Sequence, residues 1–545
     1  MKSIIIKAVF SLGIWEILLT LFFLFAFNVE TPLFNHYSID SEVYKYCGID
    51  SEVYKYCGRA INNGALPYVE YFDHKGPLIH FYNALGLLIH PTFGILTLEF
   101  LILFITLKLV LKFFGDRIIG DRIIGTGLFY YFLFFTYEGG NLTEVIALPF
   151  AFYFLHLGFI NIDGNKPLRK DFPLFIVFFI LFFNKANYAF PFIFYFPLRI
   201  FLNLRSKRTG PVIFVAIWGL YFLGYSITVM LISFLIYILI WDFSSFIAMI
   251  ESAFIFNFKY SANDSNLIQI LPAFFKIAMN RWYYLILIFG ILLKLGLLIK
   301  AKFKDIRYLS ISLIFDLLSI YSSTIGFRFY PHYDMMLLPA FFFSIFVIER
   351  HLNLKAKNLY VLKLAIVFLG FLFSFDSFLW QLKFHHFERW GSFSISTSNS
   401  FLGKEESENQ EQWVSRLNKM APNFSKVTMG YNKCKIYNDL NTLSSSRYFY
   451  PVTKLNGELL LPDYYKEVGE NLVLDEVLIL ETGNLNIRLD SIESRMGKGL
   501  TAVYLFSDQI YGTPFDFYQI REAESVVQTH AKIERPISIT HPSLP

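Results

Sequence analysis

Residues 28–91 lie between two strongly apolar stretches and carry a dense set of ionisable side chains: Asp40, Glu42, Asp50, Glu52, Asp73, His74 and Lys75. A carboxylate beside an amphipathic stretch can act as a general base. Partial desolvation raises its pKa, and it then takes a proton from an incoming hydroxyl. Lys75 precedes Gly76-Pro77 and the apolar stretch 78–89. Proline stiffens the chain where it meets the membrane surface, which holds the lysine near headgroup level, in reach of a lipid-linked phosphate. The plain alternatives are a solvated charged loop, which composition alone favours, and a lysine that merely snorkels to ordinary lipid.

Further ionisable groups sit at the ends of apolar runs: Glu138 and Glu144 in YEGGNLTE, Lys185 in NKANYAFP, Lys259, Arg281, and Arg328 with His332 in FRFYPHY. Charges at that depth are costly unless they pair or line a cavity, so several converging on one face would form a cleft for an anionic lipid. Interfacial anchoring is the favoured reading of Lys259 and Arg281. For Lys185 and Arg328 anchoring and phosphate binding are evenly balanced. His332, between Tyr330 and Tyr333, reads as a hydrogen-bonding interfacial residue ahead of a metal ligand.

Other chemistries are missing their signatures. The sequence has no Walker A, no GxGxxG opening a helix, no HExxH and no GxSxG, which argues against a nucleotide-driven pump, a Rossmann enzyme and a zinc protease. The three cysteines, Cys47, Cys57 and Cys434, show no metal-ligand spacing, so neither a disulfide framework nor a thiolate metal site is indicated. Two of them are copies: IDSEVYKYCG occupies 39–48 and again 49–58, and DRIIG occupies 116–120 and 121–125. Neither repeat has a solenoid period.

The elements that must position these groups follow from composition. The 545 residues are 55% hydrophobic, 19% aromatic and 17% charged, with 65 Phe. This predicts a polytopic membrane protein embedded in the bilayer, and the net charge of +5 is read as cytoplasmic loop charge, with no nucleic-acid partner. About eleven apolar runs approach the roughly 20 residues a spanning helix needs. They fall near 8–27, 92–114, 123–137, 144–161, 171–184, 188–203, 211–241, 282–300, 308–326, 335–349 and 359–381. The run 211–241 reads as one tilted helix or one broken at Gly224. Lys2 and Lys7 without a following cleavage site indicate a retained first helix. With the N-terminus cytoplasmic, each inside loop is basic, from Arg117/Arg122 to Arg350/Lys355/Lys357, and the C-terminus falls outside. Residues 1–382 form the membrane module. Residues 383–545 have soluble composition and read as an extracytoplasmic α/β domain, with strands at 472–474, 477–480 and 502–506.

The first-loop sequence DSEVYKYCGRAINNGALPYVEYFDHKGPLIHFYNALG resembles that of bacterial membrane glycosyltransferases of the GT-C superfamily, relatives of protein O-mannosyltransferases and of the lipid A aminoarabinose transferase (family 39-like). GGNLTEVIALPF, NKANYAFPF and FRFYPHYDMMLLP follow in the expected order, and the likeness covers about 8–350. The resemblance implies an all-α GT-C-like membrane fold and an inverting transfer of a sugar from a polyprenyl-phosphate donor to a hydroxyl acceptor of unspecified kind. By motif it implies Asp50 as the base, with Gly64 downstream. Asp40 is its duplicate, and Glu52 and Asp73 are secondary acids. Lys75 matches the lysine near the donor phosphate, with His74, Lys185, Arg328 and His332 as further donor-site candidates. It implies no organic cofactor and allows a divalent metal ion. Ten residues turn a helix by about 1000°, roughly 80° short of three turns, so Asp40 and Asp50 cannot face one site together. The insert is the departure from the family pattern. The alternatives are a lipid-linked sugar flippase or transporter, and a polysaccharide polymerase or ligase built on segment 242–280.

Overall fold

A computed structural model describes residues 13–27, 44–91, 93–114, 119–137, 139–160, 162, 168–206, 211–256, 281–300, 303–324, 331–352, 368, 372, 415–422, 426–429, 444, 468, 470–472, 474–481, 489–496, 499–510 and 513–522; the side chains of 44–50 lie outside this description. The chain divides into two compact units, residues 1–69 with 73–403, and residues 70–72 with 404–545.

The first unit is helical. Its described helices are α1 (Ile14–Phe27), α2 (Tyr44–Asn62), α3 (Pro77–Ile89), α4 (Gly94–Phe114), α5 (Ile119–Thr136), α6 (Thr143–Phe154), α7 (Phe172–Asn184), α8 (Ala186–Ile193), α9 (Tyr195–Ser206), α10 (Pro211–Ile240), α11 (Phe243–Met249), α12 (Trp282–Lys300), α13 (Phe303–Thr324) and α14 (Leu337–Leu352). Among the described residues, five stretches are long and apolar enough to cross a membrane: Gly94–Phe113, Thr143–Ile160, Gly219–Ile240, Trp282–Ile299 and Pro331–Leu352. Composition and these helices are compatible with a membrane protein. The run 359–381 lies outside the described residues apart from Phe368 and Leu372.

Two local features depart from the simple run count. The stretch 188–203 is not one helix: α8 stops at Ile193 and α9 starts at Tyr195. Pro191 and Pro197 each lack the N–H that a continuous ladder would need. The stretch 211–241 is instead one uninterrupted 30-residue helix through Gly224, so the broken alternative does not hold. Along α10, Leu220 is 73% and Leu239 82% exposed, apolar surface that suits contact with lipid chains.

The core of this unit is aromatic. Trp282 packs against Tyr131, Phe132, Tyr283 and Phe341 with ring centroids 5.0–6.1 Å apart. Phe154 and Phe159 interlock with Tyr195 at 5.3 and 5.4 Å in edge-on geometry. Edge-to-face contacts of this kind add to area burial, and they explain where much of the phenylalanine goes.

The second unit contains β1 (Val427–Met429), β2 (Val477–Glu481), α15 (Leu489–Glu493), β3 (Leu500–Ile510) and β4 (Thr513–Glu522). The sheet order is β1-β2-β4-β3, with β1 parallel to β2 and the other pairs antiparallel. The expected strands at 477–480 and 502–506 are present in β2 and β3. In the stretch 472–474 the described residues are not in a strand: Leu472 is irregular and Leu474 lies in a turn, and Val473 is outside the described residues. Its apolarity serves burial of Leu472, 4% exposed, without a ladder. Val477, Leu478 and Ile479 are all fully buried, as a central strand covered on both faces requires.

Candidate functional site

The first polar segment is organised by two glycine contacts. Helix α2 crosses α3 at Gly58, where an added Cβ would stand 2.6 Å from the Ala84 nitrogen and 2.7 Å from the Asn83 carbonyl carbon. Val53, Tyr54, Tyr56, Cys57 and Ala60 are buried along the same face. The second copy of the duplicated decapeptide therefore packs into the core. Gly48, its counterpart, lies ten residues earlier and about 15 Å back along the helix. Helix α2 ends at Asn62, and Gly64 reverses the chain at φ +85°, a left-handed conformation that suits glycine.

Gly76 is the second contact. A Cβ there would fall 1.6 Å from the Phe183 carbonyl oxygen, so no other residue allows the start of α3 to touch the end of α7. This contact carries Lys75 to the neighbourhood of Lys185, the residue that follows α7. Tyr68 supports the turn by donating from its hydroxyl to the Lys75 carbonyl at 2.8 Å. Asp73 is 1% exposed. Its Oδ1 accepts the His74 backbone N–H at 2.7 Å, and its Oδ2 lies 2.7 Å from His80 Nε2. Burial opposes ionisation of Asp73, but hydrogen bonds and charge from His74 and His80 outweigh it and hold the carboxyl well below the usual carboxylate range.

The loop between α5 and α6 supplies the opposing wall. Gly139 (φ +91°), Gly140 (φ +84°) and Asn141 (φ +50°) form a left-handed run. Asn141 exchanges amide hydrogen bonds with Asn83 at 2.9 and 3.0 Å and donates to Ser51 Oγ at 2.9 Å. Its backbone N–H donates to the buried Glu99 at 2.9 Å. This network fastens α2, α3 and α4 to the start of α6. Glu144, 1% exposed, accepts Thr143 Oγ1 at 2.8 Å and is ion-paired with Lys185. The Lys185 ammonium also lies 3.5 Å from the centre of the Tyr333 ring. His332 and Lys75 also lie within electrostatic range of Glu144. The buried Glu144 thus pairs with Lys185 and has two further basic groups, from two other segments, within electrostatic range, and Lys75, Lys185 and His332 each keep part of their surface exposed.

The sequence-derived candidates distribute unevenly. Lys75, Lys185 and His332 converge. His74 and Asp73 precede Lys75 in the same turn. Glu52 lies on α2 and pairs with Lys55 at 3.4 Å. The backbone of Asp50 lies within α2, while its side chain is outside the described residues; Asp40, Glu138, Lys259 and Arg328 are outside them altogether. Arg281 departs from the anchoring expectation. It is ion-paired with the buried Asp334, which also accepts Tyr283 and Tyr284 hydroxyls at 2.5 and 2.7 Å. Burial of Asp334 demands a countercharge, and Arg281 supplies it. Asn83, Glu99 and Asn141 went unnoticed in the sequence, where the only hint was the Gly-Gly-Asn turn ahead of Glu144.

Three other buried carboxylates are ion-paired among the described residues. Glu16 pairs with Arg122, Asp171 pairs with Arg199 at 3.1 Å, and Lys294 pairs with Asp316. No family model matches the chain, and no curated protein matches it significantly.

Proposed function

We propose that the chain is a multi-pass membrane glycosyltransferase of GT-C type that moves a sugar from a polyprenyl-phosphate donor to a hydroxyl acceptor at the outer membrane face. The observation that supports this reading is the Glu144–Lys185 ion pair, with Lys75 and His332 within its electrostatic range, beside the ends of apolar helices. An anionic headgroup whose tail stays in lipid suits such a group, because the basic residues compensate the phosphate charge and Glu144 fixes Lys185 in place. Here the body has about eleven spans, the N-terminus is cytoplasmic, and the C-terminal α/β domain faces outward.

In the reaction, the acceptor oxygen forms a bond to the anomeric carbon as the bond from that carbon to the phosphate oxygen breaks. The configuration inverts, polyprenyl phosphate departs with the electron pair, and the acceptor proton passes to Asp50. Lys75 and Lys185 bind the phosphate and stabilise the charge that develops on it. Asp73 is enclosed by His74 and His80, so it acts by positioning the turn that bears Lys75.

The test is sugar transfer by the purified full-length protein in lipid nanodiscs supplied with a polyprenyl-phosphate sugar and an alcohol acceptor. Asp50→Asn is expected to lower turnover by about 10²–10⁴-fold. Wild-type turnover that survives both Asp50→Asn and Lys75→Ala removes these roles, and translocation of the lipid without transfer replaces the enzyme by a flippase.

A further inference from the structure

The Asp73–His80 pair has a third neighbour that the proposed transfer does not use. Cys57 is fully buried on α2, and its sulfur, a carboxylate oxygen of Asp73 and a ring nitrogen of His80 all lie within 4.8 Å of one another. We propose that Cys57, Asp73 and His80 form a three-ligand zinc site that clamps α2 to the turn before α3. This inference does not rest on the sugar-transfer reading.

The chemistry selects the metal. A thiolate, an imidazole and a carboxylate together suit a borderline-soft ion such as Zn²⁺, whereas magnesium and calcium take oxygen ligands. In a tetrahedral zinc site, bonds of about 2.0–2.3 Å place ligand atoms roughly 3.3–3.6 Å apart. The observed spread closes to that by small side-chain rotations, with the 2.7 Å Asp73–His80 contact opening as both atoms turn to the ion. On binding, the thiol proton leaves to solvent, the metal takes sulfur, nitrogen and oxygen, and a water completes the fourth position.

The surroundings are those of a supported site. The His74 backbone N–H holds Asp73 Oδ1 at 2.7 Å and leaves Oδ2 directed to His80. The rings of Tyr68 and Tyr54 stand 5.3 and 6.4 Å from the His80 ring and pack beside it. Gly58, next to Cys57, is what lets α2 approach α3 closely enough for the three ligands to meet. The ligands sit at 57, 73 and 80, which is no recognised motif spacing. Cys47 occupies the same place in the first repeat copy but is displaced about 80° around and 15 Å along α2, so it provides an internal control.

The test uses full-length protein with Cys47→Ser and Cys434→Ser, in which Cys57 is the sole thiol. The metal-free protein is titrated with Co²⁺ and read for the near-ultraviolet thiolate-to-cobalt band, then back-titrated with Zn²⁺. One cobalt per chain with that band, displaced by zinc and lost in His80→Asn, is the expected result. A single-thiol protein without the band, or a band indifferent to His80→Asn, overturns the site and leaves Asp73–His80 as a hydrogen-bonded pair beside a buried thiol. Because the first measurement needs no change at the three ligands, it decides the matter even where His80→Asn fails to fold.

Discussion

Two charged groups of the first unit make an instructive contrast. Lys294 on α12 and Asp316 on α13 are both fully buried. The lysine also donates to Ser312 Oγ at 2.9 Å and Ser344 Oγ at 2.6 Å, and Ser344 donates to Asp316 at 2.8–2.9 Å. Charge and hydrogen-bonding capacity are matched within three packed helices. At Glu144 the balance differs: the carboxylate pairs with Lys185, whose side chain is 15% exposed, and Lys75 and His332 lie within electrostatic range. A saturated, enclosed pair specifies how helices fit together. On the proposed reading, the part-exposed Lys75, Lys185 and His332 near the enclosed Glu144 serve the donor phosphate.

That contrast can be broken most sharply at the closed pair. Lys294→Met alone is expected to cost about 3–5 kcal/mol, because it strands a buried carboxylate, and Asp316→Leu alone a similar amount. The double replacement should restore most of the loss in thermal unfolding of detergent-solubilised protein, and turnover with it. A double variant that folds but transfers no sugar would move the binding role to α12–α14. Next in size, Lys75→Met should lower kcat/KM for the lipid donor by about 10–100-fold, the worth of one charge-assisted hydrogen bond. Its stability should change by less than about 1 kcal/mol, since the side chain is half-buried. A stability loss as large as that of Lys294→Met would erase the distinction between the two regions.

Gly76→Ala sharpens the comparison by shifting the turn instead of the charge. The Phe183 carbonyl leaves no room for a methyl, so about 1–3 kcal/mol and a matching loss in donor kcat/KM are expected. Gly64→Ala should cost about 1 kcal/mol from its φ alone, because nothing stands within 4 Å of the added carbon, and kcat/KM should hold. The smallest effect belongs to Glu52→Gln. An i,i+3 pair with Lys55 that is 20–22% exposed contributes under about 0.5 kcal/mol, and turnover should change little beside Asp50→Asn.

Much of the helical body was readable from apolar run length, and the failures have local causes. The break between α8 and α9 follows from two prolines that a run count overlooks. The stretch 472–474 was apolar enough for a strand but Leu474 lies in a turn, because burial and ladder pairing are separate demands. Arg281 looked like an anchor because its partner Asp334 is 53 residues away. The Glu144–Lys185 pair likewise joins positions 41 residues apart, so only the packing of α6 against α7 brings it together.

By itself the sequence determined that this chain is apolar, mostly helical and sparing with charge, because hydropathy and spacing act over single turns and single helices. It also marked the segments where charge is retained. Which charges meet was decided by tertiary structure. Gly58 and Gly76 remove one side chain each at a helix crossing, and this is what allows Cys57 to approach Asp73 and His80, and Lys75 to approach Lys185. A missing methyl group has consequences only when the surface it would have struck is in place.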